Sequence, residues 1–497
     1  MLELRPENLG EMEIPVPGYD RVALVPGIVH FGVGAFHRAH QAFFLNRVLA
    51  AGSGEWGIVG VGLLPGDQAV RDAAVAQSGL YTLTTVAPDG AETTCVIGSL
   101  LDVCYAPEDP DRVLDLLTAA TTRIVSLTVT EGGYPIDDAT GRFAPSDSLV
   151  LADLEGAAVP QSVWGYLTEA LRRRRAAGLS PFTVMSCDNI QSNGRVAREA
   201  LTAFARHQSP ELADWIVAHV DFPSSMVDRI TPVVPPTLAA DVAESTQVID
   251  RWPVRSEAFI QWVLEDRFSS GRPPLADVGV SLVPDVEPYE HLKLRLLNAS
   301  HQVMSYLGLL AGYRQVDEVC QDPLFRAFLL RYMRSEAIPT LAPVPGVDPE
   351  AYGDQLIARF SSRAIRDTLA RQVVDASDRL PKFLLPVLRH QLRVGGPIEC
   401  CALTLAAWAT YLEGHLAEDA PPLTDRRAPE LLAVVARETD EPGALLRYAP
   451  VFGDLGEHER LRRAWLSARG LLAEAGAAGA VGVLMGPDPG ARPEGGG

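Results

Sequence analysis

Gly27-Ile-Val-His-Phe-Gly-Val-Gly-Ala-Phe-His-Arg38 reads as a short buried strand that runs into a tight glycine turn and then a helix. The helix is expected over residues 39–51 (AHQAFFLNRVLAA), and Trp56-Gly-Ile-Val-Gly-Val-Gly-Leu63 supplies a second buried strand. Strand, crossover helix and strand within about 35 residues is the unit from which parallel sheets are built. Further β runs at 81–86, 94–97, 123–130 and 182–187, with helical patterns between several of them, extend the same design. The last two end in Glu131-Gly-Gly-Tyr134 and in Asp188-Asn189, and ligands of open α/β sheets sit at such carboxyl ends.

The texture changes near residue 285. Leucine- and alanine-rich periods predict helices over 289–313, 323–334, 352–363, 366–374, 381–394 and 399–416, interrupted by Pro343-Val-Pro-Gly-Val-Asp348. The expected fold class is α/β: a Rossmann-like N-terminal domain over 1–285, a mainly α-helical C-terminal domain over 286–497, and an active site in the cleft between them. No internal repeat is evident. From Ala475 the chain is rich in small residues, Gly and Pro, and its end is expected to fray.

Composition narrows the function. A chain of 497 residues with 47% hydrophobic side chains can bury large cores. Its formal charge of −20 repels phosphate backbones and anionic lipid, so neither nucleic acid nor a membrane surface is an expected partner. The six cysteines lack CxxC spacing, which argues against a disulfide framework or structural zinc and for a reducing cytoplasm. The acidic first 27 residues carry no readable signal peptide, and no apolar run approaches the ~18 residues of a membrane span. HExxH, GxSxG and GxxxxGK[ST] are all missing, and no metal site is expected. Arg172–Arg175 read as a solvated helix face. Only two of the 43 basic residues are lysine, Lys293 and Lys382. A lysine kept amid so many arginines is a candidate for the one task arginine cannot do, releasing a proton near neutral pH.

Two constellations carry chemistry. A Gly32-x-Gly34 pair after a buried strand lets a pyrophosphate approach the backbone at a helix start, although His37 stands at the third fingerprint position and a plain strand-to-helix turn would look much the same. Asp67, just past the second strand, can accept hydrogen bonds from ribose hydroxyls and repel a 2′-phosphate, which favours NAD over NADP; a solvated turn aspartate is the alternative. The second constellation is His291-Leu-Lys293-Leu-Arg-Leu-Leu-Asn298-Ala-Ser-His301. On an α-helix at about 100° per residue, Lys293, Asn298 and His301 span an arc of roughly 140°. A desolvated lysine can act as general base, an asparagine amide can donate to a developing alkoxide, and a histidine can bind a hydroxyl. Ordinary polar positions at a domain interface would give the same pattern.

The blocks Ile28–His40, Thr130–Tyr134, Phe182–Asn189, Phe222–Pro232 and the lysine helix together resemble the polyol-specific long-chain dehydrogenases, collinearly from about residue 5 to 470. The resemblance implies a zinc-independent, two-domain, NAD-dependent oxidoreductase, monomeric, that converts D-mannitol to D-fructose. Lys293 would be the catalytic base in Lys-x4-Asn-x2-His, Asn189 would join Asn298 in stabilising the oxyanion, and His301 would complete the catalytic set. Asp228, Arg371 and Arg379 would face substrate hydroxyls, and Glu290 would stand beside a proton path. Gly32, Gly34, Phe36, Arg38, Asp67 and Glu131 would meet the cofactor. The chain departs from the family at Asp375-Ala-Ser-Asp-Arg379, where Asp-Gly-Ser-x-Lys is usual. Arg379 changes reach at the substrate's end, Ala376 is expected to shift the backbone, and Lys382 is not obviously the missing lysine. Gly66, where a second acid is common, is expected to weaken exclusion of NADP. D-arabinitol oxidation and reduction of fructuronate or tagaturonate fit the same fold; a non-catalytic NAD sensor would have lost the lysine or the asparagines.

Overall fold

The computed structural model describes residues 1–137 and 140–486. The chain forms two compact units, Met1–Ala87 with Ala91–Glu287, and Pro288 onward together with Pro88–Gly90.

The first unit is built on five parallel strands: β1 (Pro26–Phe31), β2 (Gly57–Gly62), β3 (Leu100–Tyr105), β4 (Ile124–Leu127) and β5 (Thr183–Ser186). Their order across the sheet is β3-β2-β1-β4-β5, the Rossmann order, which reverses direction between β1 and β4. Side chains alternate between two cores. Val29, Phe31, Val61, Val125 and Leu127 face a layer that holds Trp164, Leu201 and Phe204. Ile28, Ile58, Ile124 and Met185 face the opposite layer, which holds Phe44, Leu45 and Trp262. Strands covered on both faces need continuous apolar runs, which is why β1 and β2 stand out in the sequence. β3 is not among the strands expected from the sequence. It is an edge strand, and Asp102, paired with Arg112, interrupts its apolar run. A three-stranded sheet (Val254–Glu257, Tyr81–Val86, Glu92–Ile97) and another (Ser281–Val283, Gln261–Glu265, Ser225–Asp228) complete the main β structure of this unit.

The helix after β1 differs from expectation. It starts at Ala35 and is broken at His40 (φ −116°, ψ −84°) into α1 (Ala35–Ala39) and α2 (Gln41–Ala50). Side chains from distant segments claim the carbonyls at the break: Tyr81 Oη donates to Arg38 O (2.7 Å), and Arg229 donates to Ala39 O. Arg174 also departs from its reading as a solvated surface residue. It is 2% exposed, and its guanidinium donates to Leu117 O (2.9 Å), Ala119 O (2.8 Å) and Ser180 O (2.8 Å).

The second unit is helical. Helix Glu287–Leu292 passes into a π-helical turn, Lys293–Asn298, and then into helix Ala299–Leu310. Helix Pro323–Arg331 passes likewise into a second π-turn, Tyr332–Ala337. Near the substitution noted in the sequence, the left-handed residue is Asp375 (φ 51°), and Ala376 opens helix Ala376–Phe383. An alanine at 376 therefore costs no backbone strain. The small-residue stretch from Ala475 is helical as far as Met485, within Glu459–Met485. By length and composition alone that helix could cross a membrane, but non-helical backbone at Gly476 divides it. Neither piece reaches the ~20 residues a span requires. Its Leu461, Trp465, Ala468 and Val481 are buried. The expected fraying falls on residues 487–497, outside the described residues.

Candidate active site

In the first unit the glycine turn follows β1, at the switch between β1 and β4. Gly32 has φ +94°, and a β-carbon there would collide with the Thr128 carbonyl, so only glycine fits. Thr128 Oγ1 donates to Gly32 O (2.6 Å), which ties the turn to the end of β4. Gly34 caps α1, and nothing lies within 4 Å of where its β-carbon would be. A backbone held this way, with open space beside its second glycine, fits a dinucleotide pyrophosphate. His37, at the third fingerprint position, is fully buried and stacks on His30 with centroids 3.5 Å apart. Desolvation holds both imidazoles far below their usual range, His30 at about 3. Phe36, half-buried, stacks on His40 at 5.0 Å. Arg38 lies inward: it donates to Trp252 O and packs over the Trp252 ring at 4.8 Å.

Asp67 opens helix Asp67–Ala76, and its Oδ2 accepts from the amides of Leu63 and Leu64, both at 2.9 Å. Gly62 makes room for it, since a β-carbon there would strike the Asp67 side chain. Glu131 is exposed on the short turn after β4, next to Thr130, which adopts φ 65°. That turn is held from β5. Asp188, 6% exposed, accepts from Val129 N (3.1 Å), Thr130 N (2.8 Å) and Tyr134 Oη (2.7 Å). Asn189 follows it, exposed at the carboxyl end of β5. Asp228, 3% exposed, ends strand Ser225–Asp228 opposite Gln261.

In the second unit Lys293 (8% exposed) begins the first π-turn and Asn298 ends it, with His301 (8%) one α-turn further on. Asn298 Oδ1 and His301 Nε2 are buried and have no protein partner, two polar atoms left for a ligand. Burial lowers the His301 pKa, so its imidazole is neutral at physiological pH. Glu290, 5% exposed, lies one turn before Lys293. Arg371 is gripped by Asp367 through Nε and Nη2, both at 2.7 Å, and Gln372 Nε2 donates to the same carboxylate (2.7 Å). Arg379 Nη1 donates to Gln372 O (3.0 Å) and Arg371 O (3.2 Å), so it caps the short helix that carries Arg371. Lys382 lies on helix Ala376–Phe383 close to Asp378, whose carboxyl pKa burial raises against the opposing pull of Arg426 and Lys382. Among the described residues, no group of three or more His, Cys, Asp or Glu is placed to hold a metal ion. Sequence reading missed Asp367 and the role of Asp188. The Asp367/Arg371 spacing of four residues was the available signal.

Residues 26–277 match the Mannitol dehydrogenase Rossmann domain, and residues 285–467 match the Mannitol dehydrogenase C-terminal domain. The chain belongs to the mannitol dehydrogenase family. Mannitol 2-dehydrogenase of Phaeosphaeria nodorum is 43% identical over 459 residues, 91% of this chain and 80% of that protein. Polyol:NADP oxidoreductase of Gluconobacter oxydans is 44% identical over 404 residues, 81% and 83% respectively. The structure of Pseudomonas fluorescens mannitol 2-dehydrogenase in ternary complex with NAD and D-mannitol superposes with a TM-score of 0.88 at 41% identity, covering 97% of this chain and 99% of that one. A Rossmann domain with a helical C-terminal domain is thus the architecture of the family as well as of this chain.

Proposed function

We propose that this enzyme oxidises D-mannitol to D-fructose with NAD, and runs the reverse reduction, with Lys293 as general base. The observation that carries the reading is a buried amine on the same helical run as two buried, unpartnered polar atoms, Asn298 Oδ1 and His301 Nε2. The P. fluorescens relative, bound to NAD and D-mannitol, supports both ligands. NAD, when bound, supplies the acceptor for the hydride that leaves carbon 2. Gly32 and Gly34 would admit its pyrophosphate, and Asp67 would receive its ribose hydroxyls through the oxygen not already given to the Leu63 and Leu64 amides.

Lys293 takes the carbon-2 hydroxyl proton onto its Nζ as the C–H bond breaks. The amide groups of Asn189 and Asn298 donate to the oxygen while it carries negative charge. His301, neutral, binds a neighbouring hydroxyl, and Glu290 passes the proton on towards solvent. Asp228 and Arg371 fix the remaining hydroxyls. The Arg371 fork is already given on two nitrogens to Asp367, which offsets its charge and favours an uncharged polyol over a uronate. Arg379 supports Arg371 through its backbone.

Lys293→Ala should lower mannitol oxidation by several orders of magnitude and leave NADH binding nearly intact. Lys293→Arg should be almost as damaging, because arginine stays protonated at working pH. An active alanine variant would remove lysine from the mechanism. A substrate panel with NAD that preferred mannonate to mannitol or arabinitol would overturn the substrate assignment.

A further inference from the structure

Lys293 and Asn298 are five residues apart. On an α-helix that spacing turns them about 140° away from each other, so a ligand held by one would lie off the face of the other. The segment is instead a π-turn, closed by Ala299 N donating to Leu294 O. With hydrogen bonds at i→i+5, residues five apart stack along the axis much as residues four apart do in an α-helix. From Ala299 the chain is α-helical, and His301, three residues beyond Asn298, continues the same face. One widened turn therefore brings amine, amide and imidazole into line.

A π-turn has poorer backbone geometry than the α-helix on either side, so something must hold it open. Tyr332, 0% exposed, donates from Oη to the carbonyl of Arg295 (3.0 Å), inside the turn. Burial drives its phenol pKa well up, so the hydroxyl remains a donor. Tyr332 begins the second π-turn, whose Glu336 carboxylate accepts from the amides of Cys400 (2.6 Å) and Cys401 (2.9 Å) at the start of helix Glu399–Glu413. Just beyond that turn, Thr340 O and Oγ1 accept from the Arg295 guanidinium. The backbone and the side chain of one residue, Arg295, thus tie the first π-turn to the second.

We infer that Tyr332 is a positioning residue, whose hydroxyl on the Arg295 carbonyl keeps Lys293–Asn298 in the wide register that presents Lys293, Asn298 and His301 together. The inference rests on Lys293 as the base. Tyr332→Phe keeps the ring and removes only the donor. It should lower kcat for mannitol about tenfold or more, move the acid limb of the kcat–pH profile, and speed amide exchange across residues 294–300 about tenfold, the scale of one lost buried hydrogen bond. The KM for NAD should stay within about twofold, and a preserved thermal transition would show that the variant folds. Unchanged kcat and pH profile in a folded variant would overturn the inference, whether or not exchange speeds up. Should Tyr332→Phe fail to fold, Thr340→Val, which weakens the hold on Arg295, is read by the same three measurements and should move them the same way; no movement would overturn the inference equally. Lys293→Ala separates the two readings. If it is inactive while Tyr332→Phe behaves as wild type, only the positioning role falls; if it is active, the base falls and the positioning role with it.

Discussion

Replacing His37 with phenylalanine should stabilise the first unit by an amount that grows as the pH falls. His37 is fully buried, both its ring nitrogens lack partners, and its flat contact with His30 at 3.5 Å is one a phenyl ring can reproduce. Desolvation holds its pKa well below 6.5, so the native imidazole stays neutral where the unfolded one has begun to take up a proton. The unfolded imidazole titrates near 6.5 and takes up a proton there. The unfolded state therefore binds more protons, and the wild type loses stability as the pH falls through 6.5. Between pH 7.5 and 5.0 the loss through this one side chain is about 1.5 pH units at 1.36 kcal/mol each, or ~2 kcal/mol. Phenylalanine has nothing to titrate, so the difference between the His37→Phe variant and wild type should widen by ~2 kcal/mol over that interval. Buried carboxyls with raised pKa, such as Asp188, shift both proteins alike and cancel in the comparison. The assay is urea unfolding of cofactor-free protein at both pH values, followed by a probe in the first unit. A gap that failed to widen would mean that native His37 takes up a proton or reaches water, and that the layer beneath the glycine turn is not dry.

The glycine turn and the arginine clamp give two further expectations. Gly32→Ala must place a β-carbon at φ +94° against the Thr128 carbonyl, a strain of about 1–2 kcal/mol before the clash, so NADH binding followed by fluorescence should weaken about tenfold or more and the melting temperature should drop. Asp367→Ala releases the two Arg371 nitrogens it holds at 2.7 Å; the KM for polyol should rise about tenfold while the NADH dissociation constant stays put, and activity on hexonic acids should gain relative to mannitol.

Much of the first unit is legible in the sequence because parallel strands buried on two faces must be apolar without interruption, and because a residue at φ +94° packed on a carbonyl must be glycine. The edge strand β3 need not obey the first rule, and Asp102 in its middle hides it. Long-range partners hide other features. The break at His40 is enforced by Tyr81 and Arg229, and the burial of Arg174 by carbonyls at 117, 119 and 180, none of which a local window contains. At Asp375–Arg379 the substitution of alanine for glycine looks costly in the sequence, yet the residue with positive φ is Asp375.

The lysine helix shows a different kind of blindness. Read at 100° per residue, its three polar residues spread over a wide arc. Leucines at 292, 294, 296 and 297 satisfy an α-helical and a π-helical reading equally, so hydrophobic periodicity alone cannot choose between them. The partners of the turn are remote: Tyr332, which donates to the Arg295 carbonyl, is 37 residues away, and Thr340, which accepts from the Arg295 guanidinium, is 45. A spacing of five between an amine and an amide meant for one ligand makes poor sense on an α-helix and good sense on a widened turn. A five-residue interval between two chemically complementary side chains, within an apolar helix, is thus itself a signal for a π-turn, and one a sequence can carry without any knowledge of the fold.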